Sequence, residues 1–210
     1  MINSFFLGSI IPLVMMIVLL KKQSRIIMMF FAWGLVAFLI SYYANTAIID
    51  ATGLNTAGLS VSWAPIIEEF FKALPLLYFA FFRKTHPPLF HYAMASGIGF
   101  AIQENYLYLV TNVYSLVYIV VRSVTTCLMH GMTTAMIGYG ISLIDKSAKG
   151  YYYPFLFGLF TFSVIFHTLY NLYINSNAKI LGLLMAPLFY LVGYLVLNDS
   201  KKVTSGGYAK

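Results

Sequence analysis

Two carboxylates, Glu68 and Glu69, stand side by side in the apolar stretch SWAPIIEEFFKALPLLYFAFF, with Lys72 one turn further on. The chain has six acidic residues, and three of them (these two and Glu104) fall in segments apolar enough to sit in a membrane. An ionisable side chain at mid-bilayer costs about 2.5–3.5 kcal/mol even on the most forgiving insertion scale. Placing several there calls for protons, a metal ion or an activated water. Other polar groups follow at helical spacing. Phe100 precedes Glu104 and Asn105; Arg122, Thr126, His130, Thr134 and Gly138 form one stripe; His167 and Asn171 form another. Residues four apart share a helix face, so each segment can turn a polar face to a common interior.

Those residue types suit hydrolysis. A carboxylate can act as general base toward water and then as acid toward a leaving amine. A second carboxylate and Lys72 would tune it, His130 and His167 would orient the water or steady an oxyanion, and Asn171 would hold His167 or donate to that oxyanion. The same atoms suit a metal, because two His with Glu68 or Glu104 are adequate zinc ligands with a position left for water. The HExxH helix of one zinc-protease class is absent, and so is the GxSxG turn of serine hydrolases. Ser163 and the single cysteine, Cys127, read as packing residues.

The elements that must position these groups are membrane helices. The 210 residues are 60% hydrophobic and 9% charged, with a mean hydropathy of +0.82, far from the composition of soluble domains. The apolar runs are continuous rather than alternating, which excludes a β-barrel. The pattern predicts a single all-α polytopic membrane domain over 1–210 with about seven spans: 4–20, 26–49, 61–82, 90–111, 120–144, 152–174 and 180–197. Lys21, Lys22 and Arg25 follow the first apolar run rather than precede it, the reverse of a cleavable signal peptide.

The net charge of +7 is collected in short loops, which argues against nucleic-acid binding. With the N-terminus outside, Lys21, Lys22, Arg25, Arg83, Lys84, Lys146, Lys149, Lys201, Lys202 and Lys210 fall on the cytoplasmic side and only Lys179 in an outer loop. This asymmetry predicts that orientation and a cytoplasmic C-terminus. Glu68, Glu104 and His167 then lie about seven residues, or roughly 10 Å, from the outer ends of their spans, with His130 at a similar depth. The predicted polar core sits in the outer half of the bilayer.

EEFFK (Glu68, Glu69, Lys72), FAIQEN (Glu104, Asn105), HGMTTAMIG (His130, Thr134) and HTLYN (His167, Asn171) together resemble the motifs of the PrsW family of intramembrane proteases, over roughly residues 60–175. The resemblance implies a membrane-embedded endopeptidase acting on transmembrane protein substrates in a prokaryotic plasma membrane. The founding member is linked to site-1 cleavage of an anti-sigma factor. The family is similar to the CAAX prenyl endopeptidases, whose EExxxR, FxxxH and HxxxN patterns imply Glu68 as base with Glu69 supporting it, and His167 with Asn171 at the oxyanion. Here Lys72 comes one residue earlier than that Arg, and Glu104 stands where FxxxH has its His, so His130 would supply the missing imidazole. Lys72, Asn105, Thr134 and Arg122 are expected to support the site. No cofactor is favoured, with zinc the alternative. Two other classes share these features: a non-catalytic scaffold or substrate-binding subunit of the same fold, and a small proton- or ion-coupled transporter.

Overall fold

A computed structural model describes residues 22–82, 89–111, 115–143 and 149–206. Among them run seven helices and no strand: α1 (Lys22–Thr52), α2 (Thr56–Ser60), α3 (Trp63–Phe82), α4 (Phe90–Thr111), α5 (Leu116–Leu143), α6 (Lys149–Ile174) and α7 (Lys179–Gly206). The expected first span, 4–20, lies outside the described residues. So does 112–114, within the stretch between the fourth and fifth expected spans; the next helix opens at Leu116.

Among the described residues three stretches, Ser24–Thr52, Leu116–Leu143 and Gly150–Ile174, are long and apolar enough by length and composition to cross a membrane. Helix α3 has the length of a span, but Glu68, Glu69 and Lys72 fall inside its 20 residues. Large apolar side chains cover the outside of the bundle: Leu116, Val117, Phe157, Ile180 and Phe82 are each at least 70% exposed. In water such a surface would aggregate, whereas in lipid it is the expected exterior. The protein is an integral membrane protein.

Helix α5 is the hub, packed on α3, α4, α6 and α7, while α4 lies between α1 and α5. Lipid tails are as apolar as leucine, so helices in a bilayer associate mainly through close packing, and small residues permit it. A Cβ on Gly97 of α4 would collide with the His130 carbonyl of α5, and one on Gly34 of α1 would collide with the Ser96 carbonyl of α4. Both crossings bring backbone against backbone. The larger apolar cluster, including Phe30, Leu76, Leu89, Tyr92, Ile137, Ile141 and Tyr152, fills one end of the bundle.

Between α1 and α3 the chain carries local structure of its own. Gly53, at φ 70°, ends α1 in a conformation a side chain would disfavour. Asn55 then caps α2, its Oδ1 accepting from the Gly58 N–H at 2.7 Å. Pro75 lies inside α3 and has no N–H for the carbonyl of Phe71, four residues back. The indole of Trp33 on α1 donates to that carbonyl at 2.9 Å. Ser96 Oγ on α4 donates to the neighbouring Lys72 carbonyl at 3.1 Å. An unpaired carbonyl in hydrocarbon costs several kcal/mol, so Trp33 offsets the bond that Pro75 removes, and Ser96 adds a second tie to the helix that carries EEFFK.

Trp33→Phe keeps the aromatic bulk and removes the donor. It should lower stability by about 1–3 kcal/mol in chemical unfolding of the detergent-solubilised protein. Gly97→Ala forces apart the α4–α5 crossing and should cost a comparable ~1–3 kcal/mol in the same assay.

Candidate functional site

Five helices contribute to one polar cluster. Helix α1 brings Asn45; α3 brings Glu68, Glu69 and Lys72; α4 brings Glu104; α5 brings His130, Thr133 and Arg122; and α6 brings His167. Glu69 is at the centre and wholly buried. Its Oε1 accepts from Lys72 Nζ at 2.6 Å, from His167 Nδ1 at 2.9 Å and from Thr133 Oγ1 at 3.2 Å. Its Oε2 is buried without a hydrogen-bond partner among the described residues. Lys72, also wholly buried, reaches His130 Nδ1 at 2.8 Å and lies 5.2 Å from the centre of the Phe100 ring. His130 Nε2 is 2.9 Å from Glu104 Oε2, and Arg122 stands 3.7 Å from Glu104 Oε1 with its guanidinium 3.6 Å from the centre of the Tyr108 ring.

With Lys72 charged and the carboxylates ionised, donor arithmetic assigns the ring tautomers. An ammonium donates and never accepts, so His130 Nδ1 accepts from Lys72 and its Nε2–H donates to Glu104. A carboxylate accepts, so His167 Nδ1 carries the hydrogen given to Glu69 and Nε2 keeps its lone pair. That nitrogen faces Glu68 Oε2 at 3.7 Å, and the two imidazoles stand edge to face with centroids 4.8 Å apart. Glu68 is held differently from Glu69. Its side chain is 14% exposed, and Asn45 Nδ2 donates to its Oε1 at 3.2 Å.

Glu68, His130 and His167 each offer one ligand atom, and the three atoms lie within 4.8 Å of one another. Imidazole and carboxylate are zinc ligands. The far N–H of His167 rests on a carboxylate, as the second nitrogen of a metal-bound His usually does. The residues therefore fit a divalent metal. His130 would join through a ring nitrogen given up by Lys72 or by Glu104, which hold one each here.

Of the residues singled out from sequence, Glu68, Glu69, Lys72, Glu104, His130 and His167 converge, and Arg122 adjoins them through Glu104. The ion pair joins Lys72 to Glu69 at i+3 rather than to Glu68 at i+4. Asn171 is placed elsewhere: its amide donates to the Ser60 carbonyl at 2.9 Å and ties α6 to the end of α2. Thr134 Oγ1 donates to the His130 carbonyl within its own helix, and buried Asn105 leaves its Oδ1 without a hydrogen-bond partner among the described residues. Sequence reasoning missed Asn45 and Thr133. Thr133 lies at i+3 from His130, a neighbouring position on a helix face just as i+4 is. Asn45 is a polar residue far along an apolar helix, and its spacing to the motifs carries no signal.

Lys72→Met removes the countercharge and leaves Glu69 buried alone. It should destabilise the protein by about 3–5 kcal/mol, and Glu69→Gln added to it should recover most of that loss in the same unfolding titration.

The family model described as PrsW family intramembrane metalloprotease matches residues 22–197. No curated protein and no solved structure matches the chain. The matched stretch takes in all five helices that build the cluster, Asn45 on α1 included, and reaches well beyond the four motifs. With carboxylates and imidazoles gathered inside an apolar bundle, the chain is a membrane-embedded protease and belongs to the PrsW family of intramembrane metalloproteases.

Proposed function

We propose that the cluster hydrolyses peptide bonds of membrane-protein substrates, with Glu68 as the group that moves the proton. The observation that carries this reading is the contrast among the three carboxylates. Glu69 is closed and triply bonded through one oxygen, and Glu104 is engaged by His130 and Arg122. Glu68 and Glu104 are both partly open, at 14% and 18%, but Glu104 is bonded to His130 at 2.9 Å, whereas Glu68 Oε2 faces the lone pair of His167 Nε2 across 3.7 Å. A water seated at that gap has an acceptor on each side. Glu68 Oε2 takes its proton as hydroxide attacks the scissile carbonyl, then returns it to the leaving amine.

The other residues hold this arrangement. Glu69 fixes the His167 tautomer and ring angle. Lys72 neutralises Glu69, and Thr133 adds a third donor to the same oxygen. Glu104 and Arg122 do the equivalent for His130. A zinc ion held by His167, His130 and a carboxylate of Glu68 or Glu104 would polarise the scissile carbonyl and make a bound water nucleophilic at neutral pH. The family description and the donor set favour that metal-dependent form.

The orientation we propose has the N-terminus outside and the site in the outer half of the bilayer, resting on the one-sided distribution of basic loop residues. The polar cluster stays at one level, as hydrolysis requires. The end of the bundle filled by Leu76, Leu89, Ile137 and Ile141 is apolar, which argues against a conducting path through it.

Purified protein is to be assayed against a panel of single-span peptides. Glu68→Gln and His167→Ala should each lower turnover by at least about 10²-fold while unfolding stays cooperative and near that of wild type. Activity surviving both substitutions would remove the assignment. A chelator should abolish cleavage, and stoichiometric zinc should restore it. Full cleavage by metal-free protein would leave Glu68 acting on water alone.

A further inference from the structure

The contacts of Glu68 carry one step beyond this site. On α3 it is the carboxylate with the fewest restraints: it stands 3.7 Å from His167 Nε2, and among the described residues the one side chain donating to it is Asn45. A glutamate has three rotatable side-chain bonds, so without a fixed partner its carboxyl would sample several positions. Asn45 Nδ2 donates to Oε1 at 3.2 Å, leaving Oε2 as the oxygen turned to His167. Asn45 itself is held by where α1 packs. Gly34 brings α1 against the α4 backbone, and Trp33 fixes α1 to the Phe71 carbonyl of α3. Asn45 lies on a helix that none of the four motifs touches.

We propose that Asn45 is a positioning residue for the reaction, setting the rotamer of Glu68 so that Oε2 faces the attacking water. The inference rests on the reading in which Glu68 moves the proton. The competing account is that Asn45 joins two membrane helices and does nothing more, as polar residues in bundles often do. The two accounts differ in what they change. Helix-joining affects stability and leaves turnover intact, whereas positioning affects turnover once substrate is bound.

Asn45→Leu tests this well, because leucine is close in size, suits an apolar helix and has no donor, so the variant should fold. Asn45→Gln keeps the amide one methylene further out, and Thr46→Ala is the neighbouring control, since Thr46 is exposed and its hydroxyl donates to the Tyr42 carbonyl of its own helix. With a single-span peptide that wild type cleaves, Asn45→Leu should lower kcat by about 10–100-fold, the usual effect of losing a partner that orients a reacting group. KM should stay within about twofold, because ground-state binding is untouched. Asn45→Gln should recover part of the loss, and Thr46→Ala should behave as wild type. Asn45→Leu with wild-type kcat, or with a change confined to KM, overturns the proposal. Glu68→Gln measured alongside separates the two failures: if it is inactive while Asn45→Leu is normal, only this inference falls, and if it is active, the site reading falls and takes the inference with it.

Discussion

The ion pair between Glu69 and Lys72 is the contact on which the rest of the cluster depends. Both side chains are wholly buried, and neither charge could remain in a low-dielectric interior without the other. Once paired, they recruit further partners, because a carboxylate and an ammonium have more hydrogen-bonding capacity than one contact uses. His167 and Thr133 complete one oxygen of Glu69, and His130 takes another hydrogen of Lys72. Two imidazoles from two other helices are thereby oriented by a pair that belongs to α3 alone. Among the described residues the remaining oxygen of Glu69 has no hydrogen-bond partner.

That pair can occupy the centre only because the backbones come close. A lysine and a glutamate one turn apart reach His130 and His167 without spanning a gap because α4 and α5 cross with Gly97 against the His130 carbonyl. The same crossing places Phe100 against the His130 ring, centroids 4.9 Å apart. Helix α3 meets a second demand, since Pro75 interrupts its hydrogen-bond ladder just after EEFFK. Trp33 and Ser96 bond to carbonyls at that interruption, and each belongs to a helix packed against α3. Loss of local backbone bonding is thus converted into fixed contacts with α1 and α4, which hold the charged turn in register with its partners.

Much of this arrangement was legible in the chain. Ionisable residues in apolar segments are rare enough that Glu68, Glu69, Lys72, Glu104, His130 and His167 identify themselves, and their similar depth in successive segments predicted that they meet. Helix boundaries from 61 to 174 followed apolar runs and breakers to within a few residues. Asn171 shows the limit of such reasoning. Its spacing from His167 placed both on one face, yet a helix face is wide enough for neighbours to point at different elements, and Asn171 points at the end of α2. Lys72 shows the same limit on a smaller scale, choosing the glutamate three residues away over the one four away.

The sequence by itself determined that this is a helical membrane protein with a charged interior, because the transfer energies of its residues leave no other solution. It also determined the inventory of that interior, since each buried charge must find a partner among the few polar groups available. Tertiary structure decided the pairing and the surroundings of each group: which glutamate is sealed, which partner each imidazole nitrogen faces, and that Asn45 from a helix outside the motifs reaches Glu68. These follow from contacts of 2.8 to 3.7 Å between side chains far apart in the chain. Helical periodicity gives a residue's face but not the angle or depth at which two helices cross.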